Sequence, residues 1–192
     1  MIRMRHFSAM VIISGALMAM TGSADLPTTV DPATVIQEKF GETLDKRYIT
    51  VTVAKKARRL TVYYHQQPIK TYAVVLGHNP IGDKLQQGDA KTPEGKFTLE
   101  EIYLHSQWWR FLLLDYPNAE SWRKHRQAKA HGQIASGANI GGEIGIHGVP
   151  EGKDFLIDRG INWTQGCVSL KNKDVAELYE LVQKGTVIEI VP

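Results

Sequence analysis

From Tyr48 onward the chain alternates apolar and polar residues with a period of two. Ile49-Thr-Val-Thr-Val53 and Leu60-Thr-Val-Tyr-Tyr64 each turn one face to a core and one to water, with residues 55–59 as a basic turn between them. Residues 69–76 form a third run, set off by Gln66-Gln67-Pro68, so two neighbouring hairpins are expected. Residues 77–95 carry Pro80, Gly82, Gly88, Asp89, Pro93 and Gly95 and read as a loop, whose Thr92-Pro-Glu-Gly95 turn feeds a strand over 97–104. Arg110-Phe-Leu-Leu-Leu-Asp-Tyr116 is apolar enough for a strand covered on both faces, and residues 144–148 and 186–191 are short strands.

Helical periodicity is sparser. Val35, Ile36, Phe40 and Leu44 give a weak pattern within a lead-in over 25–47. Asn118 caps a predicted helix over 119–130, so basic and poorly amphipathic that it reads as a solvated insertion beside a cleft. The clearest helix starts at Asn172 as cap, carries Val175, Leu178, Leu181 and Val182 on one stripe and stops at Gly185. The predicted fold is therefore mainly β, a sandwich or open barrel with one or two decorating α-helices.

The first 24 residues have a different character. Met1-Ile-Arg-Met-Arg-His6 is basic, residues 7–20 are apolar and small, and Thr-Gly-Ser-Ala24 is a small-residue exit, the pattern of a secretory signal peptide cleaved after Ala24. The apolar run is shorter than a membrane span needs, so no integral membrane segment is expected after cleavage, and no cysteine stands at the junction for a lipid anchor. The expected organisation is a signal peptide over 1–24, the lead-in over 25–47 and one β-rich domain over 48–192. Cleavage removes two arginines and no acid, so the formal charge falls from +3 to +1. No basic stripe suggests nucleic acid, and neither metal-ligand spacing nor a cofactor fingerprint is present.

Candidate chemistry gathers around Cys167, the only cysteine, and His147. A thiol is mostly protonated near neutrality and becomes a nucleophile with help from an imidazole. An unpaired cysteine in an exported chain is a liability unless it is used. Cys167 follows Gly166, as on a tight turn that exposes the side chain, and Gly148 after His147 leaves room for a close approach. His131 is a rival base, and Trp163 is either core or the wall of a groove.

His147, a 16-residue spacer and Thr164-Gln-Gly-Cys-Val-Ser169 resemble the signature of the L,D-transpeptidase (YkuD-type) catalytic domain: histidine, a spacer of about this length, Ser or Thr, usually His, Gly-Cys, any residue, then Asn or Arg. Gly88-Asp-Ala-Lys-Thr-Pro-Glu-Gly-Lys-Phe97 is similar to a second segment of that family and is far enough away to count independently. Two positions depart from the pattern. Gln165 stands where histidine is common, and Ser169 stands where arginine or asparagine is usual.

The resemblance covers residues 48–192 and implies a catalytic domain with Cys167 as nucleophile and His147 as base, needing no cofactor or metal. It also implies a periplasmic, cell-wall-associated protein acting on peptidoglycan stem peptides through a thioester. Gly166, Thr164, Gly148, Trp163 and Gln165 are expected around the substrate, with backbone N–H groups at Gly166 and Cys167 facing the oxyanion. The implied acceptor is the amine of a second stem or of a lipoprotein lysine. Water as acceptor gives a carboxypeptidase or endopeptidase instead, and an inactive wall-binding module is the reading outside enzymes.

Overall fold

The structure, a computed structural model, describes residues 30–192. The expected signal peptide lies outside the described residues, as does the start of the lead-in. The alternating runs become β1 (Ile49–Ala54), β2 (Arg59–Tyr64) and β3 (Gln67–Ala73), an antiparallel meander in which Ile49, Val51, Val53, Leu60, Val62 and Tyr64 face the core. Pro68 lacks an N–H and is tolerated because β3 pairs along its length only with β2. The strands expected over 97–104 and 110–116 form a hairpin, β4 (Gly95–His105) with β5 (Trp109–Leu114), followed by β6 (Gly145–Gly148), β7 (Val168–Leu170) and β8 (Val187–Val191).

These eight strands make one sheet in the order β3-β2-β1-β8-β4-β5-β6-β7. The last strand thus enters the middle, parallel to β1 and antiparallel to β4. The two edges nearly meet. After β3 the chain bridges Val75 to Ser169 and Gly77 to Thr164, with Val75 N–H donating to Ser169 O at 3.0 Å and Ser169 N–H to Val75 O at 2.9 Å. The result is an almost closed barrel around a core that includes Leu60, Leu99, Leu112, Ile146 and Ile188.

Among the described residues a few helices and short turns decorate this barrel. α1 (Pro32–Phe40) lies in the lead-in, capped by Asp31, opened by Pro32 and ended by Gly41 in the left-handed conformation. α2 (Ala119–Ala130) is capped by Asn118 as predicted but is not a free insertion. It buries Ser121, His125 and Ala128, donates from His125 Nδ1 to Leu85 O at 2.6 Å, and pairs Lys124 with Asp83 at 2.5 Å, so it clamps the 77–95 loop. α3 (Phe155–Asp158) is a single turn in the segment between β6 and β7.

α4 (Asn172–Leu181) buries Val175, Leu178 and Leu181 and packs on β5 and β6. Its N-cap is Lys171 rather than Asn172, whose Oδ1 is instead buried under Gly148 without a hydrogen-bond partner. Among the described residues no helix is long and apolar enough to cross a membrane.

The long loop is held by a buried charge. Asp89 accepts the N–H groups of Leu85, Gln86 and Lys91 and the Lys84 ammonium, which is 5% exposed, at 2.7 Å. Thr92 accepts Gly77 N–H at 3.0 Å, and Lys55 reaches Thr92 O and Glu94. The segment is thus fixed to Gly77 and to Lys55 at the end of β1, and His78 N–H, next to Gly77, donates to Thr164 O in the turn before the cysteine at 2.9 Å.

Candidate active site

β6 lies between β5 and β7, and that register decides which side chains meet. His147 is opposite Phe111 on one side and Ser169 on the other. Directly opposed residues share a face, and so do residues two apart, so His147, Phe111, Ser169 and Cys167 all project to the face away from the Ile146, Val168 and Leu170 core. Cys167 and His147 line one cavity of about 420 Å³, together with Tyr103, His105, Trp163 and Gln165.

His147 is 3% exposed and enclosed by aromatic rings. Phe111 stacks on it at 5.5 Å and 6°, Trp108 lies 5.3 Å away, and Trp163 meets it edge to face at 5.6 Å. Its Nδ1 is 2.7 Å from Gly148 O. A carbonyl only accepts, so Nδ1 carries the proton and the lone pair is on Nε2, the tautomer a base needs. Burial pushes the imidazole down to about 4; the Gly148 bond opposes the shift and nearby His105 adds to it. The ring is therefore neutral and able to accept a proton at neutral pH.

Cys167 follows Gly166, whose φ of 148° and contact with Lys91 O exclude a side chain. The thiol points to Glu143 O at 3.5 Å. Burial raises it to about 11; Gly145 N–H and Lys84 work against that rise, and the Glu143 charge adds to it. Thiol and imidazole are thus both neutral in the resting site.

The remaining expected residues separate into two groups. Trp163 and Gln165 line the cavity, and the indole N–H of Trp163 is buried without a partner. Thr164 also touches the cavity, but its hydroxyl is used within the turn: it donates to Cys167 O at 2.7 Å and accepts Gly166 N–H at 3.2 Å. Gly166 N–H is thus engaged within the turn. Gly148 does not line the cavity. Its carbonyl orients His147, and a Cβ there would collide with Asn172 Oδ1. His131, the rival base, is exposed at the end of α2, outside the cavity lining.

Several contributors were missed in the sequence. Ser169, read as a lost charge, is fully buried and donates to the same Gly148 carbonyl at 3.4 Å. His105 Nδ1 accepts the N–H groups of Gln107 and Trp108 at 3.1 and 3.2 Å, so its Nε2 carries the proton. The signal available was the aromatic density of 103–111, which is high for a hairpin tip facing water. Among the described residues no group of three His, Cys, Asp or Glu side chains could hold a metal ion.

Residues 46–190 match the model of the L,D-transpeptidase catalytic domain (YkuD). The chain belongs to that family. The L,D-transpeptidases are enzymes that act on peptidoglycan peptides. Over 178 residues the chain is 22% identical to YafK of Escherichia coli K12, a provisionally named L,D-transpeptidase, covering 90% of this chain and 62% of YafK. Among solved structures it resembles the helical cell shape determining protein Pgp2 of Campylobacter jejuni, with a TM-score of 0.56 and 22% identity over 74% of this chain and 47% of Pgp2. It also resembles Bd1075 of Bdellovibrio bacteriovorus, with a TM-score of 0.53 and 22% identity over 75% of this chain and 48% of that one. These likenesses carry the L,D-transpeptidase fold, and this chain spans about half to three fifths of the length of the proteins it matches.

Proposed function

We propose that the chain is a cysteine-dependent L,D-transpeptidase of the periplasmic cell wall. The observation that carries this reading is the fixed tautomer of His147, with Nδ1–H held by Gly148 O and the Nε2 lone pair left to the cavity it shares with Cys167. His147 Nε2 takes the thiol proton as Sγ attacks the carbonyl at the L-centre of diaminopimelate in a stem tetrapeptide. Cys167 N–H stabilises the oxyanion. The imidazolium returns its proton to the departing D-alanine amine, leaving a thioester on Sγ. An amine of a second stem peptide, or of a lipoprotein lysine, attacks the thioester and restores the thiol.

Two experiments test this. Incubation with a carbapenem should add one acyl group by mass, and Cys167→Ala should abolish the adduct; an adduct unaffected by that substitution, or none at all, removes the enzymatic reading. Purified tetrapeptide muropeptide should give an exchanged product when a D-amino acid is supplied. Tripeptide alone, with and without that acceptor, would show that water resolves the thioester and refute transfer.

A further inference from the structure

The cavity contains one full charge that the proposed cysteine and histidine chemistry does not use. Glu143, two residues before β6, is exposed, lines the cavity and has a φ of 55°. Its backbone carbonyl accepts the Cys167 thiol, while its carboxylate takes part in none of the ion pairs among the described residues. Glu143 is the one acidic side chain in the lining. Nδ1 of both His105 and His147 is committed to the backbone, and Tyr103, Thr164 and Gln165 carry no charge. The nearest influential cation, Lys84, is buried against Asp89.

A lone carboxylate beside a nucleophilic thiol works against catalysis, because it opposes formation of the thiolate. The arrangement makes chemical sense when a cation from the substrate occupies the space between them. The ion pair then holds the substrate and removes the part that the Glu143 charge adds to the effect of burial on the thiol.

We propose that Glu143 is the subsite for the side-chain ammonium of the diamino acid whose carbonyl Cys167 attacks. This rests on the acyl-transfer reading above and adds the group that chooses the donor. In diaminopimelate that ammonium is six bonds from the reacting carbonyl carbon, and Glu143 and Cys167 line the same cavity.

The test measures acylation of Cys167 by mass spectrometry, apart from its resolution, in the wild type, Glu143→Gln and Glu143→Asp. Three donors are compared: a tetrapeptide with a free side-chain amine, the same peptide with that amine acetylated, and a penem carrying no amine. Glu143→Gln should lower kcat/KM for the free-amine peptide by roughly two- to fivefold, as for an accessible ion pair, and Glu143→Asp should restore part of the loss. The variant should acylate no more slowly than wild type with the acetylated peptide and the penem. An equal effect on all three donors overturns the proposal. So does an effect seen only when an amine acceptor resolves the thioester, which would place the ammonium of the acceptor there. Absence of acylation of the wild type by every donor would instead defeat the acyl-transfer reading itself.

Discussion

The resting protonation state of the Cys167 and His147 pair can be read directly from the pH dependence of thiol alkylation. With the thiol near 11 and the imidazole near 4, the site holds neither a thiolate nor an imidazolium at neutrality. At pH 7 a thiol of pKa about 11 is ionised to about one part in 10⁴, whereas one at its ordinary value near 9 reaches about one part in 10². The native protein should therefore react with iodoacetamide at pH 7 on the order of a hundredfold more slowly than an exposed thiol. Its rate should climb about tenfold per pH unit between pH 7 and 10. Cys167 is the only cysteine, so one mass shift reports the whole reaction. A rate that is flat from pH 5 to 9 would reveal a preformed thiolate and imidazolium pair and refute the argument that burial dominates both groups. Glu143→Gln should shift the curve to lower pH, because the Glu143 charge is one of the groups that raises the thiol.

Stability should fall on mild acidification. His147 has a folded pKa of about 4 against 6.5 unfolded, so between those values the unfolded chain binds the extra proton, and ∼3 kcal/mol is lost as pH drops from 6.5 to 4. Urea midpoints across that window should show the loss in the wild type and a smaller one in His147→Gln. Asp89, held below its ordinary value despite burial by the Lys84 ammonium and three N–H groups, adds its own loss below pH 4. Asp89→Asn leaves the buried Lys84 unpaired and should cost about 3–5 kcal/mol, read as a lower melting temperature. Ser169→Arg, which restores the residue usual in the resembled signature, should destabilise the protein because that position is fully buried, whereas Ser169→Ala should cost about 1 kcal/mol and slow acylation by loosening Gly148 O. A Ser169→Arg protein as stable as wild type would show that the side chain can leave β7 for solvent.

Parts of the molecule with a local signature were legible in the sequence. β1 and β2 obey period two, and Asn118 caps α2 by its own side chain. The placement of β8 between β1 and β4 has no local signature, since it depends on pairing partners more than 80 residues apart in the chain. α2 was misjudged because its packed stripe is Ser121, His125 and Ala128, small or polar residues that a hydrophobic pattern does not count. The buried lysines Lys55 and Lys70 escaped because partners from distant segments satisfy their ammonium groups, and Lys84 because a charged residue in a loop is not counted as buried until its Asp89 partner is seen folded over it.

The candidate site divides along the same line. Cys167 and His147 were visible because their residue types carry the chemistry wherever they occur. The groups that determine how those two behave are visible only in three dimensions, because they act through a backbone carbonyl at Gly148, a ring face at Phe111 and an unneutralised charge at Glu143. Phe111 illustrates the point. From sequence it is one more apolar residue of a buried strand, yet the β5–β6 register puts its ring against His147, where it excludes the water that would otherwise keep the imidazole near its ordinary pKa. The proposed nucleophile is thus written in one residue, while the proton affinity of the proposed base is set by the pairing of β5 with β6.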